Sequence, residues 1–328
     1  MKKDPTYRKA LSHAWRVVRY HPALWIFGLF SLFLGQMGLL DFLSSISVAD
    51  DRLVFYSVVG DASSWWHAIV QLFTSLNIGA DGWIWVVWLI LFFISAGLGL
   101  LFVSVSSQGA LIDGIIQSLK LGKFHHVKVD KAWYKGVSHF WRLLALNVSK
   151  KVVTVLLSVL LAAFAYMLAV TNNVFAGVGL GALFIVSVAL GLLVSVLLVY
   201  AAGYVVVEEY SYIKSIKSAW KLLKDHWVVS LEVGLIVVLL NLGILAAALV
   251  LVGLFVVEMS FIWAISFMLG SAVFWEVGLF LSTMILMILF AAIGSLFSVY
   301  STAIWTYLFL VMHKKGLKSR LLGLFKKG

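Results

Sequence analysis

Long apolar runs alternate along this chain with short stretches in which apolar and basic residues recur at helical spacing. Tyr7, Ala10, Leu11, Ala14, Trp15 and Val18 fall at i, i+3, i+4, i+7, i+8 and i+11, one face of a helix, and Arg8, Lys9, Ser12, His13, Arg16 and Arg19 take the other. A second stretch puts Trp133, Val137, Phe140, Trp141 and Leu144 on one face. In a third, Ile213, Ile216, Trp220, Leu223 and Trp227 oppose Lys214, Lys217, Lys221 and Lys224. Superposing Trp15, Trp141 and Trp220 aligns the three. Each then opens on an aromatic (Tyr7, Trp133, Tyr212), with a lysine two residues on (Lys9, Lys135, Lys214) and a base after the tryptophan (Arg16, Arg142, Lys221).

Each stretch runs into apolar sequence long enough to cross a bilayer, which takes about 20 residues. The expected spans are 22–46, 83–107 (with helix continuing toward Leu119), 145–170, 174–206, 228–257 and 277–312. The apolar, aromatic segment 258–275 reads as a re-entrant or interfacial piece. The fold class expected is all-α: a polytopic membrane protein with six transmembrane helices, in three repeats of cytoplasmic amphipathic helix plus transmembrane hairpin. The chain forms a single integral membrane domain, with units of about 5–119, 130–206 and 212–312 and a basic amphipathic tail, 313–328. An N-terminal leader fits poorly, because some twenty residues precede an apolar core that is itself long enough to span.

Composition supports this class. The chain of 328 residues is 63% hydrophobic and only 12% charged, with a mean hydropathy of +1.06. A soluble domain carries about 25% charged residues. The net charge of +11 would point to nucleic acid in a soluble protein; in a membrane protein it belongs to basic cytoplasmic loops, and no nucleic-acid partner is expected. With six spans, every lysine and arginine except Arg52 falls on the side of the two termini. That places both termini in the cytoplasm, in a plasma or inner membrane. Having no cysteine, the chain has no disulfide, thiolate or cysteine-zinc chemistry.

Val205 to Glu209, then Ser215 to Lys224 and Trp227, resemble a recurring segment in a loose group of prokaryotic six-helix membrane proteins. The group includes the membrane domain of glycerophosphoryl diester phosphodiesterases. Gln108 to Ile112, ahead of a basic connector, is similar to the segment that follows the second span there, and Tyr300 to Gly316 resembles the last helix and its basic exit. The resemblance implies a shared layout. It transfers no activity and no functional residue.

The candidate chemistry is sparse. Asp41, Asp113, Glu232 and Glu276 lie near span ends, where an interfacial carboxylate paired with a base is the expected role. Gln36, Glu232 and Asn241 are the candidate buried polar residues, read first as helix-to-helix hydrogen bonding. No nucleophile, metal or cofactor constellation is legible, so no enzyme, cofactor or metal site is expected. The basic helices carry the remaining hypothesis. Arg8, Lys9, Arg16, Arg19, Lys135, Arg142, Lys214, Lys217, Lys221 and Lys224 would meet anionic lipid headgroups, and Trp15, Trp141, Trp220 and Trp227 would anchor in the interface. The function expected is a non-enzymatic integral membrane protein, organising the bilayer or supporting a protein partner. A permease for a lipid-like or other apolar small molecule is the alternative.

Overall fold

The computed structural model describes residues 6–34, 80–121, 127–171 and 174–315. Gln36, Asp41, Trp65, Trp66 and the tail beyond Lys315 lie outside these residues. The described residues form nine α-helices: α1 (Thr6–Tyr20), α2 (Leu24–Ser31, continued by a 3-10 turn Leu32–Leu34), α3 (Ala80–Leu121), α4 (Val129–Ser138), α5 (Phe140–Thr171), α6 (Val174–Val207), α7 (Tyr212–Asp225), α8 (Trp227–Leu269) and α9 (Ala272–Lys315). Five of them, α3, α5, α6, α8 and α9, are long and apolar enough to cross a membrane, and α1 with α2 makes a sixth candidate bent by 109°.

Expectation and structure differ in two places. The segment 258–275 is not a separate element. It is the far end of α8, a turn at Gly270 and Ser271, and the start of α9. Gly270 takes φ 62°, a left-handed cap that glycine adopts without steric penalty, and Ser271 N–H closes the helix end on the Ser266 carbonyl at 3.2 Å. The two helices then run antiparallel in register, so that the Ser282 hydroxyl donates to the Glu258 carboxylate at 2.7 Å.

The second basic stretch, read as one surface helix, is broken at His139. Its ring Nδ1 lies 2.8 Å from the Lys135 carbonyl and 2.9 Å from the Ser138 hydroxyl. Trp141, Arg142 and Leu144 therefore belong to α5, the spanning helix, and only Val129–Ser138 lies across the bundle end.

Helix length exceeds what a bilayer needs. α3, α8 and α9 have 42, 43 and 44 residues, roughly twice the 20 or so that span the hydrocarbon. Burial shows how the excess is used. The core gathers at the basic-side ends: Val105 to Ile116 of α3, Leu198 to Val206 of α6 and Phe297 to Met312 of α9, with Ala10, Ala14 and Val17 of α1. Farther along, burial among the described residues falls to isolated positions such as Leu161, Ala162, Ser187 and Ser282. Lipid tails are as apolar as leucine, so nothing drives these outer halves together except close packing, and α5 with α6 and α8 with α9 pair as hairpins. Lys150 and Lys151 mark the change on α5. From Val152 to Thr171 that helix has about the 20 apolar residues of a span, whereas Phe140 to Ser149 joins the packed end.

Small residues make that packed end possible. Gly136 of α4 lies against Ser106, Gly109 and Ala110 of α3, and Gly28 of α2 lies against Ser295 and Val299 of α9. Ser31 and Ser298 share a hydrogen bond of 2.6 Å, Ser295 donates to the Trp25 carbonyl, and the Trp25 indole donates to the Val18 carbonyl at 3.0 Å, pinning the bend between α1 and α2.

Candidate lipid-facing surface at the basic end

Each basic helix meets the bundle in the same way. α4 packs on α3, α7 on α6, and α1 on α9, the last across the whole chain length. The three supporting helices α3, α6 and α9 also touch one another. Counting from the aligned tryptophans, the residue five before is small and buried in each case (Ala10, Gly136, Ser215), and the residue two after is aliphatic and buried (Val17, Leu143, Leu222).

This geometry splits the apolar stripe read from the sequence into two parts. On α7 the face toward α6 is Ser215, Ala219 and Leu222, flanked by the half-buried Ile216 and Leu223. Ile213 and Trp220 instead form an exposed ridge, and Trp227, the first residue of α8, is exposed as well. At 100° per residue that ridge lies beside the exposed sector of Lys214, Lys217, Lys221 and Lys224. Trp15 and Trp141 are 61% and 78% exposed, so all four expected anchors point away from the core. A shallow groove of about 460 Å³ runs along α7, lined by Ser211, Ile213, Lys214, Lys217, Ser218 and Lys221.

The ten basic candidates differ in the contacts they make within the protein. Lys135 Nζ lies 3.6 Å from the Glu209 carboxylate, and Arg142 donates to the Glu209 carbonyl at 2.9 Å. Both therefore hold the α6–α7 link, where Glu209 takes a left-handed φ of 56°. Lys214 sits 3.8 Å from the Tyr210 ring centroid, a cation–π contact. Arg8, Lys9, Arg16, Arg19, Lys217, Lys221 and Lys224 are exposed, and Arg16 Nε donates to the Ser12 carbonyl of its own helix at 3.3 Å.

The polar candidates also separate. Asn241 is buried, donating to the Val237 carbonyl at 2.8 Å, and its side-chain oxygen has no partner among the described residues. Glu232 is half-buried on the same helix, two and a half turns earlier. Asp113 accepts a hydrogen bond of 2.6 Å from Gln117, a neutral partner where a base was expected. A cross-helix pair had no signal in the sequence: Asn147 donates to Gln108 at 2.6 Å and to the Leu143 carbonyl at 2.9 Å, tying α5 to α3. Removing it with Asn147→Ala leaves the half-buried Gln108 oxygen unpaired, and stability falls by about 1–2 kcal/mol. Thermal unfolding in detergent checks this, and an unchanged midpoint would show that water serves the site equally well.

Taken together, the long apolar helices, the hairpins and the packed basic end define a multi-pass helical integral membrane protein. No family model, curated protein or solved structure matches the chain.

Proposed function

We propose that this protein is a non-enzymatic, multi-pass protein of the plasma or inner membrane, with both termini cytoplasmic. Its basic end is a collar that binds anionic lipid headgroups, organising the bilayer or supporting a protein partner. Three similar units of basic helix plus hairpin build it, closed into a ring where α1 lies on α9. The shared layout with the membrane domain of glycerophosphoryl diester phosphodiesterases is part of the same proposal.

One observation carries the lipid reading. On α7 the residues that dock the helix and the residues that stay exposed are different sets. Ile213 and Trp220 are not needed for docking and lie beside four lysines. An exposed indole ridge bordered by ammonium groups matches the headgroup layer, with apolar matter on one side and phosphate on the other.

Each lysine near an anionic surface contributes about 1 kcal/mol. With Lys214 already held by Tyr210, changing Lys214, Lys217, Lys221 and Lys224 together to Gln removes about 3 kcal/mol, roughly a hundredfold in lipid preference. The test extracts the protein from nanodiscs of mixed zwitterionic and anionic lipid and weighs what it retains. Anionic lipid is expected above its bulk share, with the enrichment lost in the quadruple variant. Retention in bulk proportion, or equal enrichment in the variant, would sink the lipid reading.

A further inference from the structure

A cleft of about 150 Å³ opens between α1 and the basic-side end of α3, lined by His13, Arg16, Val17, Tyr20, His21, Ser118 and Leu119. Three of these residues carry or can carry positive charge, and none is a carboxylate. The groups facing His13 come from every neighbouring element: Arg16, Tyr20 and His21 from its own helix and the turn after it, Ser118 from α3, and Tyr307 from α9, whose ring lies 5.4 Å away. The Ser118 hydroxyl already donates to the Ile115 carbonyl at 2.7 Å. Asp113, the acidic residue of this part of α3, lies outside the cleft and is hydrogen-bonded by Gln117. Among the described residues, His13 Nε2 is shut off from solvent with no hydrogen-bond partner, and an unpaired buried polar atom is costly enough that native structures rarely keep one.

We propose that this cleft is a binding site for a phosphate-type anion, held by the Arg16 guanidinium and the His13 imidazole, with the Tyr20 hydroxyl at the rim. Binding needs only a turn of the imidazole about χ2, a broad two-fold torsion. The inference goes beyond the lipid-contact reading, because it concerns a separate cleft on α1 and holds whether or not the exposed lysines of α7 touch lipid. α1 is bent by 109° from α2, and the proposal places α1 along the bilayer surface, where both headgroups and soluble phosphate esters reach the site.

The electrostatics agree with the geometry. Burial, then the Arg16 charge and His21, hold the His13 imidazole down at about 4, against an ordinary 6.5. The folded state therefore refuses a proton that the unfolded chain accepts. Without a ligand, the His13 contribution to stability falls as pH drops from about 6.5 to about 4 and is level outside that window. An anion beside Arg16 supplies the missing counter-charge, lets His13 ionise, and so binds more tightly as pH falls.

Sulfate is the chosen probe because it does not titrate in this range. Thermal unfolding of the purified full chain is followed with millimolar sulfate, against chloride matched for ionic strength, at pH about 5 and about 7.5. Sulfate is expected to raise Tm by roughly 3–5 °C at the lower pH and by less at the higher. Arg16→Gln abolishes the shift, His13→Gln removes its pH dependence, and the quadruple α7 lysine variant keeps both. In parallel, histidine-selective NMR of the unmutated protein should show the His13 midpoint rise when sulfate is added. Competition with water-soluble short-chain phosphatidic acid and with glycerol phosphate then names the source. Displacement by the first alone marks a lipid headgroup, and equal displacement marks a soluble ester. Equal Tm in sulfate and chloride at pH about 5, a sulfate shift that survives Arg16→Gln, or a His13 midpoint unmoved by sulfate would overturn the proposal.

Discussion

Gly136→Ala is expected to prevent the basic end from assembling. A methyl group there would stand 2.1 Å from the Ser106 carbonyl oxygen and 2.8 Å from the Ala110 nitrogen, both backbone atoms of α3. No side-chain rotation relieves such a contact, so α4 must lift away from α3. Overpacking a core typically costs about 1–3 kcal/mol, and a clash with helix backbone belongs at or above the top of that range. The lifted helix also loses its hold on Gly109, whose own Cβ position is 2.9 Å from Gly136 Cα. Fluorescence-detected size exclusion of membrane extracts reads the outcome as loss of the monodisperse peak. Gly253→Ala is the control. That glycine meets nothing within 4 Å, and alanine is the better helix former, so its profile should match the parent. A Gly136→Ala peak as sharp and thermally stable as the control would show that α4 does not dock as described.

Gly28→Ala is expected to release the N-terminal helix pair from α9. Its new methyl would lie 2.6 Å from the Ser295 carbonyl and 2.7 Å from a Val299 methyl. The neighbouring Ser31–Ser298 and Ser295–Trp25 hydrogen bonds depend on the same approach. The lack of cysteine makes the release measurable. Ala14→Cys creates a single thiol at a position fully buried against the bundle. In the parent background it should resist a maleimide reagent. In the Gly28→Ala background labelling should accelerate by at least about tenfold, which corresponds to the lower end of the ~1–3 kcal/mol expected for overpacking. Equal labelling rates would mean that α1 and α2 are held by other contacts.

These two glycines show where sequence reading stopped. Neither lies in a run that looks unusual, and helical glycine by itself signals only a weak helix. Their meaning appears once α4 is laid on α3 and α2 on α9. The Asn147–Gln108 bond is the same kind of case, because two amides thirty-nine positions apart carry no local sign of meeting. The tryptophan stretches were legible as amphipathic, but a helical wheel scores Ile216 and Trp220 alike. Only packing separates the docking face from the exposed ridge, because the docking residues at the close contacts are small and score weakly as apolar. The contacts of Lys135 and Arg142 within the protein were illegible for the same reason. Their partner Glu209 sits in a link that periodicity does not describe.

The sequence by itself determined the class of the protein. Apolar runs of more than 20 residues must be helical in a bilayer, where every backbone polar group needs an internal partner. Their approximate number follows from hydropathy alone, whereas the tight turn at Gly270 and Ser271 does not. Periodicity likewise determined that the basic stretches are helices with an apolar side. The tertiary structure decided which ends of the long helices pack and which stand apart, and that α1 lies on α9. It also decided that the tryptophan ridge beside the α7 lysines stays exposed. Those outcomes depend on close backbone approach at small residues, a property of pairs of helices that no single stretch of sequence contains.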